Sequence, residues 1–154
     1  MNDLYQHQQN FFRVNPAKSA LIHSPGTGKT RTAIEWTKLD PGKALFIVPK
    51  SLVYSWQKEL RTWWSMTGKD IIRPDDMVMS KENFRKYHRN LRPFGQVVVD
   101  ECAIGFLTPH FKSQMSKALR DYLKWRSVPR LLLLPGPPYS NPWNIFTLAT
   151  LLGH

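Results

Sequence analysis

The chain has 154 residues and a mass of 18.0 kDa; 42% of its residues are hydrophobic and 21% charged, a balance that excludes a disordered chain and allows one domain with a sizeable core. Lys and Arg total 22 against 11 Asp and Glu, giving a net charge of +11 and a pI near 10.0, which suits a polyanionic partner, above all nucleic acid. The single cysteine excludes an intrachain disulfide, no Cys/His cluster has zinc-ligand spacing, no apolar run reaches the ~18 residues of a membrane helix, and MNDLYQHQQN has no signal-peptide character, so a cytoplasmic or other reducing setting is expected, not secretion or a membrane.

In chain order, hydrophobic periodicity predicts a helix over 4–13, a strand over 20–23 and a helix over 29–38. A strand over 44–48, a helix over 52–64, a strand over 77–79 and a helix over 81–90 follow. The last elements are a strand over 96–99, a helix over 111–126, a strand over 131–134 and a helix over 143–152. There is no internal repeat and no low-complexity linker. Most strand candidates are continuous apolar runs, as strands covered on both faces require. Strands alternating with helices indicate a single α/β domain over 1–154, with a mainly parallel sheet flanked by helices.

The first strand runs into Ser24-Pro25-Gly26-Thr27-Gly28-Lys29-Thr30 and then a helix, the context that a phosphate-binding loop needs. Gly26 and Gly28 can turn backbone amides toward phosphate oxygens at a helix N-terminus. Lys29 can reach the β- and γ-phosphates, and the Thr30 hydroxyl can ligate Mg²⁺. The full phosphate-loop pattern has glycine where this chain has His23, but GTGKT is intact.

The strand at 96–99 ends in Asp100-Glu101. Open parallel sheets bind ligands at the carboxyl ends of their strands. Asp100 could therefore hold Mg²⁺, and Glu101 could orient the water that attacks the γ-phosphate. The same pair would also suit a helix N-terminus.

These two motifs, in this order, resemble the first RecA-like domain of superfamily-two helicases, and more closely that of Swi/Snf-type DNA translocases. Leu4-Tyr5-Gln6-His7-Gln8 resembles the family's entry motif; the resemblance implies that Gln8 reads adenine, and an amide can both donate to and accept from a base edge. The segment from Val48 to Trp56 resembles motif Ia, implying nucleic-acid backbone contact at Lys50 and Ser51. Ser80 and Lys81 fall where the next backbone-contacting motif is expected. LLLLPGPPYSN, from Leu131 to Asn141, resembles motif III.

The departures from the family are informative. Motif II usually continues to alanine and histidine, whereas Cys102 and Ala103 follow here; Ala103 offers no hydrogen bond to link the two RecA-like domains. Pro135 and Pro137 replace two threonines of motif III and bring neither hydroxyl nor N–H. The resembling enzymes hold ATP between two RecA-like domains, the second supplying arginines worth about 10³–10⁵ in rate. The length leaves room for the first domain only. Weak, DNA-stimulated ATP hydrolysis without autonomous unwinding is thus expected, unless self-association or another RecA-like domain in trans completes the site. The alternative is a catalytically poor, nucleotide-sensing module that holds nucleic acid, or a partner of a larger helicase.

Positive charge is concentrated late in the chain: residues 78–154 carry 11 basic and 4 acidic side chains, against 11 and 7 in residues 1–77. In the helix over 111–126, Lys117, Arg120 and Lys124 share one face and are expected to contact phosphates, with DNA favoured over RNA. Trp56, Trp63, Trp64, Trp125 and Trp143 fit core packing better than base stacking. Cys102 reads as a small buried residue.

Overall fold

The computed structural model describes residues 4–22, 27–65, 76–106, 112–136 and 142–153. Five strands, β1 Lys18–Ala20, β2 Ala44–Val48, β3 Met77–Ser80, β4 Gln96–Asp100 and β5 Arg130–Leu134, form one sheet in the order β1-β5-β4-β2-β3, and every pair is parallel. The helices are α1 Gln6–Val14, α2 Lys29–Lys38, α3 Val53–Ser65, α4 Lys81–Tyr87, α5 Gln114–Trp125 and α6 Pro142–Leu152. Short 3₁₀ turns cover Lys50–Leu52 and His88–Asn90. Among the described residues no helix is long and apolar enough to cross a membrane.

The expected α/β architecture is therefore present, with a fully parallel sheet. The one strand displaced from its expected span is β1, which starts at Lys18 and ends at Ala20. It is an edge strand, paired only with β5 through Lys18↔Leu131 to Ala20↔Leu133, so it tolerates an exposed lysine that an interior strand would not. Helix α5 starts three residues later than periodicity suggests, because the Ser113 side chain caps it by accepting from the Ser116 N–H at 3.0 Å.

The period of two along each interior strand builds two cores, one on each face. Phe46, Val98, Leu132 and Leu134 face α2 and α3, where Ile34, Trp36, Trp56 and Leu60 complete one core. Leu45, Val97, Val99 and Leu131 face α4 and α5, where Phe84, Leu119 and Tyr122 complete the other. The connection after β2 lies on one face and that after the neighbouring β4 on the other, so a crevice opens at their carboxyl ends.

The opposite end of the sheet is closed by polar side chains. Gln96 is fully buried, and its Nε2 donates to the carbonyls of Thr37, Asp40 and Gly42 at 3.0, 3.2 and 2.6 Å. Arg130 lies over the Trp36 ring, 4.3 Å from its centroid, and donates to Asn15 Oδ1 at 3.1 Å and the Trp36 carbonyl at 3.4 Å. Its Nε donates to Gln96 Oε1 at 3.4 Å. Together these groups satisfy the carbonyls left over where α2 ends. Gly42 and Gly95 meet backbone to backbone beside them; a Cβ on Gly95 would stand 3.1 Å from the Gly42 Cα.

Candidate functional site

Helix α2 begins at Lys29, capped by Gly28 with φ 75°, a left-handed conformation that costs glycine little. Ser24, Pro25 and Gly26 lie outside the described residues. Thr27 precedes the cap, and Lys29 and Thr30 open the helix. Across the crevice, Asp100 ends β4. Lys29, Thr30 and Asp100 border one open cavity of about 530 Å³, which Tyr5, Gln8 and Trp56 also line.

Asp100 is held by two donors. The Trp56 indole Nε1 donates to its Oδ2 at 2.8 Å, and the Glu101 N–H donates to its Oδ1 at 2.9 Å. Burial pushes the Asp100 carboxyl above its ordinary range, and these hydrogen bonds oppose that shift. Trp56 is itself almost fully buried and packs on Phe46, ring centroids 5.5 Å apart. It serves the core and the site together, which helical spacing alone does not reveal.

The sign of the Asp100 shift sets a pH dependence. In the unfolded chain the carboxyl ionises at about 3.9. The folded state holds the proton to higher pH, so stability falls as pH rises from that value through the raised one, and then levels off. Trp56→Phe removes a donor to the ionised form and widens this window. The expected loss is about 2 kcal/mol at pH 7 and much less at pH 4, read from urea unfolding at both values. An equal loss at the two pH values would show that the indole bond contributes nothing to the carboxylate. Asp100→Asn should erase the difference.

Gln8 lies at the cavity wall but is buried, with its amide engaged within the protein. Nε2 donates to Thr32 Oγ1 at 2.7 Å and to the Gly28 carbonyl at 3.3 Å, while Oε1 accepts from the Tyr5 N–H at 2.9 Å. Gln8 thus ties α1 to the start of α2. A Cβ on Gly28 would stand 3.0 Å from its Nε2.

The two acids face different sides. Glu101 does not border the Lys29 cavity; it borders a second opening of about 800 Å³, with Lys50, Ser51, Lys81 and Met115. Asp100, the last residue of β4, follows Val98 toward α3, whereas Glu101 lies beyond the strand, in a turn that carries it to the opening bordered by Met115 of α5. Glu101 takes a left-handed backbone, φ 46°, unusual for a residue with a side chain.

Of the expected nucleic-acid contacts, Lys50 and Ser51 are exposed at the carboxyl end of β2. Ser80 and Lys81 are buried and serve the fold instead. The Ser80 side chain caps α4 by accepting from the Asn83 N–H at 3.2 Å. Lys81 Nζ donates to the carbonyls of Glu101 and Ile104 at 2.6 and 3.3 Å, and burial lowers its pKa. Helix α4 spans only seven residues, and its first side chain folds back under the turn at 101–106 rather than joining Arg85 and Arg89 outside. Lys117, Arg120 and Lys124 are exposed on α5. Arg120 and Lys124 border a third cavity, of about 200 Å³, with Lys18 at the amino end of β1. The structure therefore does not gather the cationic residues at one site. Cys102 is fully buried, and burial pushes its thiol pKa far up.

No protein-family model matches the chain, and no curated protein matches it. Among solved structures it is similar to the crystal structure of the Escherichia coli DEAH/RHA helicase HrpB, with a TM-score of 0.55 and 16% sequence identity. The match covers 87% of this chain and 19% of the helicase chain. At that identity the likeness concerns the fold: the five-stranded parallel sheet between helices is a RecA-like fold, shared with part of a DEAH/RHA helicase.

Proposed function

We propose that the chain binds ATP with Mg²⁺ and hydrolyses it weakly when nucleic acid is bound. The observation that carries this reading is the meeting of Lys29 and Thr30, at the start of α2, with Asp100, at the end of β4, around one cavity. The donor set fits the group: an ammonium and a helix N-terminus for phosphate, a hydroxyl and a carboxylate for the metal. Ser24, Gly26, Thr27 and Gly28 would supply backbone amides, with Pro25, which has no N–H, shaping the loop between them; Lys29 would supply the charge, and Thr30 and Asp100 the metal ligands. Mg²⁺, when bound, neutralises charge on the β- and γ-phosphates. Gln8 would keep α2 in place beside the base rather than read the base with a free amide. Glu101 would order the attacking water, from the strained backbone common at functional sites.

Lys50 and Ser51, exposed beside Glu101, would meet the nucleic-acid backbone. DNA is the favoured track; the motif resemblance to Swi/Snf-type translocases supports this choice. A second RecA-like domain, from another copy or another protein, would add the arginine that speeds hydrolysis. A nucleotide-sensing module with little turnover is the second reading, favoured by the turning of Glu101 toward the neighbouring opening.

Steady-state ATP hydrolysis by the wild type and Glu101→Gln, with and without single- and double-stranded DNA and RNA, separates the two. The expected result is DNA-stimulated turnover that falls about 100-fold in Glu101→Gln. Bound ATP without turnover in the wild type would establish the sensing module, and failure to bind ATP would overturn both.

A further inference from the structure

The end of the sheet away from Lys29 carries a feature that the nucleotide site does not use. Helices α4 and α5 both run from the carboxyl to the amino ends of the strands, where the chain enters β4 and β5. Their last turns bring an exposed tryptophan among arginines. Trp125 keeps 56% of its surface accessible, rare for a side chain that could add well over 100 Å² to a core. Its ring stacks with His88, centroids 6.3 Å apart and planes 16° from parallel. The Arg89 guanidinium lies 6.0 Å from the Trp125 centroid, and Arg126 Nη2 donates to the Arg89 carbonyl at 3.2 Å.

The surroundings are basic and fixed. Arg89, Arg92 and Lys124 are exposed on the segment that follows α4 and in the last turn of α5, whereas Arg85 reaches away, to Gln114 at the start of α5. Between residues 83 and 99 there is no acidic residue. The segment holding Arg92 is anchored from below: Tyr122 Oη donates to the Arg92 carbonyl at 2.8 Å, and the Arg92 guanidinium lies 5.0 Å from the Phe94 centroid. Positive charge flanking a stacked aromatic is the chemistry of single-strand recognition, in which bases stack on the ring and cations follow the phosphates. A flat hydrophobic partner would not need the arginines, and a duplex would offer the ring no free base face.

We propose that Trp125, with His88, Arg89 and Arg126, forms a second nucleic-acid surface, one that binds single strands by base stacking and works independently of the nucleotide cavity. It lies at the opposite ends of the strands from Lys29, a separation of roughly 15 Å or more along five residues of strand. A strand held here would be tethered to the protein whether or not ATP is bound.

The test is fluorescence anisotropy with a labelled 20-nucleotide oligothymidylate, a duplex of equal length and polyglutamate, using the 154-residue chain. Trp125→Ala should weaken single-strand binding about ten-fold, Trp125→Phe should restore most of it, and the duplex should change little. Arg89→Ala combined with Arg126→Ala should flatten the salt dependence of single-strand binding. Adding a nonhydrolysable ATP analogue with Mg²⁺ should leave all of these values unchanged, which separates this surface from the nucleotide site. Thermal melts check that each variant folds, and photocrosslinking of an iodouracil oligonucleotide to wild-type protein locates contact without any substitution. Equal loss of single-strand and polyglutamate binding in Trp125→Ala would overturn the proposal in favour of an acidic protein partner. No loss, or crosslinks confined to Lys50 and Ser51, would overturn it outright.

Discussion

Lys29→Ala is expected to weaken nucleoside triphosphate binding at least about 100-fold, with the melting temperature of the free protein almost unchanged. Two facts separate these effects. Among the described residues the Lys29 side chain forms no hydrogen bond or ion pair, so the fold loses little when it is truncated. A triphosphate, by contrast, would lose a charge-assisted contact in a partly enclosed cavity, where such contacts are strongest. Isothermal titration with a nonhydrolysable ATP analogue and Mg²⁺ reads the affinity. Unchanged affinity would remove the phosphate-loop assignment, and a large drop in melting temperature would show that Lys29 serves the fold.

Arg130→Met should destabilise the protein by about 3 kcal/mol, seen as a fall in melting temperature of about 10 °C. Buried charges replaced by apolar side chains often leave stability unchanged, because the cost of burying the charge disappears too. Here the balance tips the other way. The partners of Arg130 are a backbone carbonyl and two side-chain amides, and methionine donates to none of them; the Trp36 carbonyl keeps the Leu39 N–H, but the amide oxygens of Gln96 and Asn15 lose the guanidinium. Arg130→Lys would keep the charge but not the planar fork over Trp36, and should fall between. A methionine variant as stable as the wild type would show that the guanidinium only breaks even.

The parallel sheet was legible because its inner strands are continuous apolar runs, as at Ala44–Val48, and a strand buried on both faces permits little else. The amino end of β1 was hidden because Lys18 and Ser19 carry no hydrophobic signal, their pairing being set by β5. The meeting of Lys29 with Asp100 followed from the rule that ligands bind at strand carboxyl ends. What a linear reading missed were side chains with two tasks. Trp56 looks like any core tryptophan until a residue 44 positions away proves to be its acceptor. Lys81 falls where a nucleic-acid contact is expected, but it is the first residue of its helix and turns inward. Gln96 and Arg130 stand at strand starts, where polar residues ordinarily face solvent, and only the crossing of α2 over the sheet buries them.

The alternation along β4 also bears on how the chain can vary in length. Val97 and Val99 fill one core, Val98 fills the other, and Asp100 continues the rhythm toward Trp56. Deleting one residue between Gln96 and Asp100 would send each following side chain to the wrong face. The same event would swing the carboxylate away from Lys29. Connections between elements can lengthen or shorten with local effect, but in this strand a single-residue insertion or deletion removes the packing and the acid together.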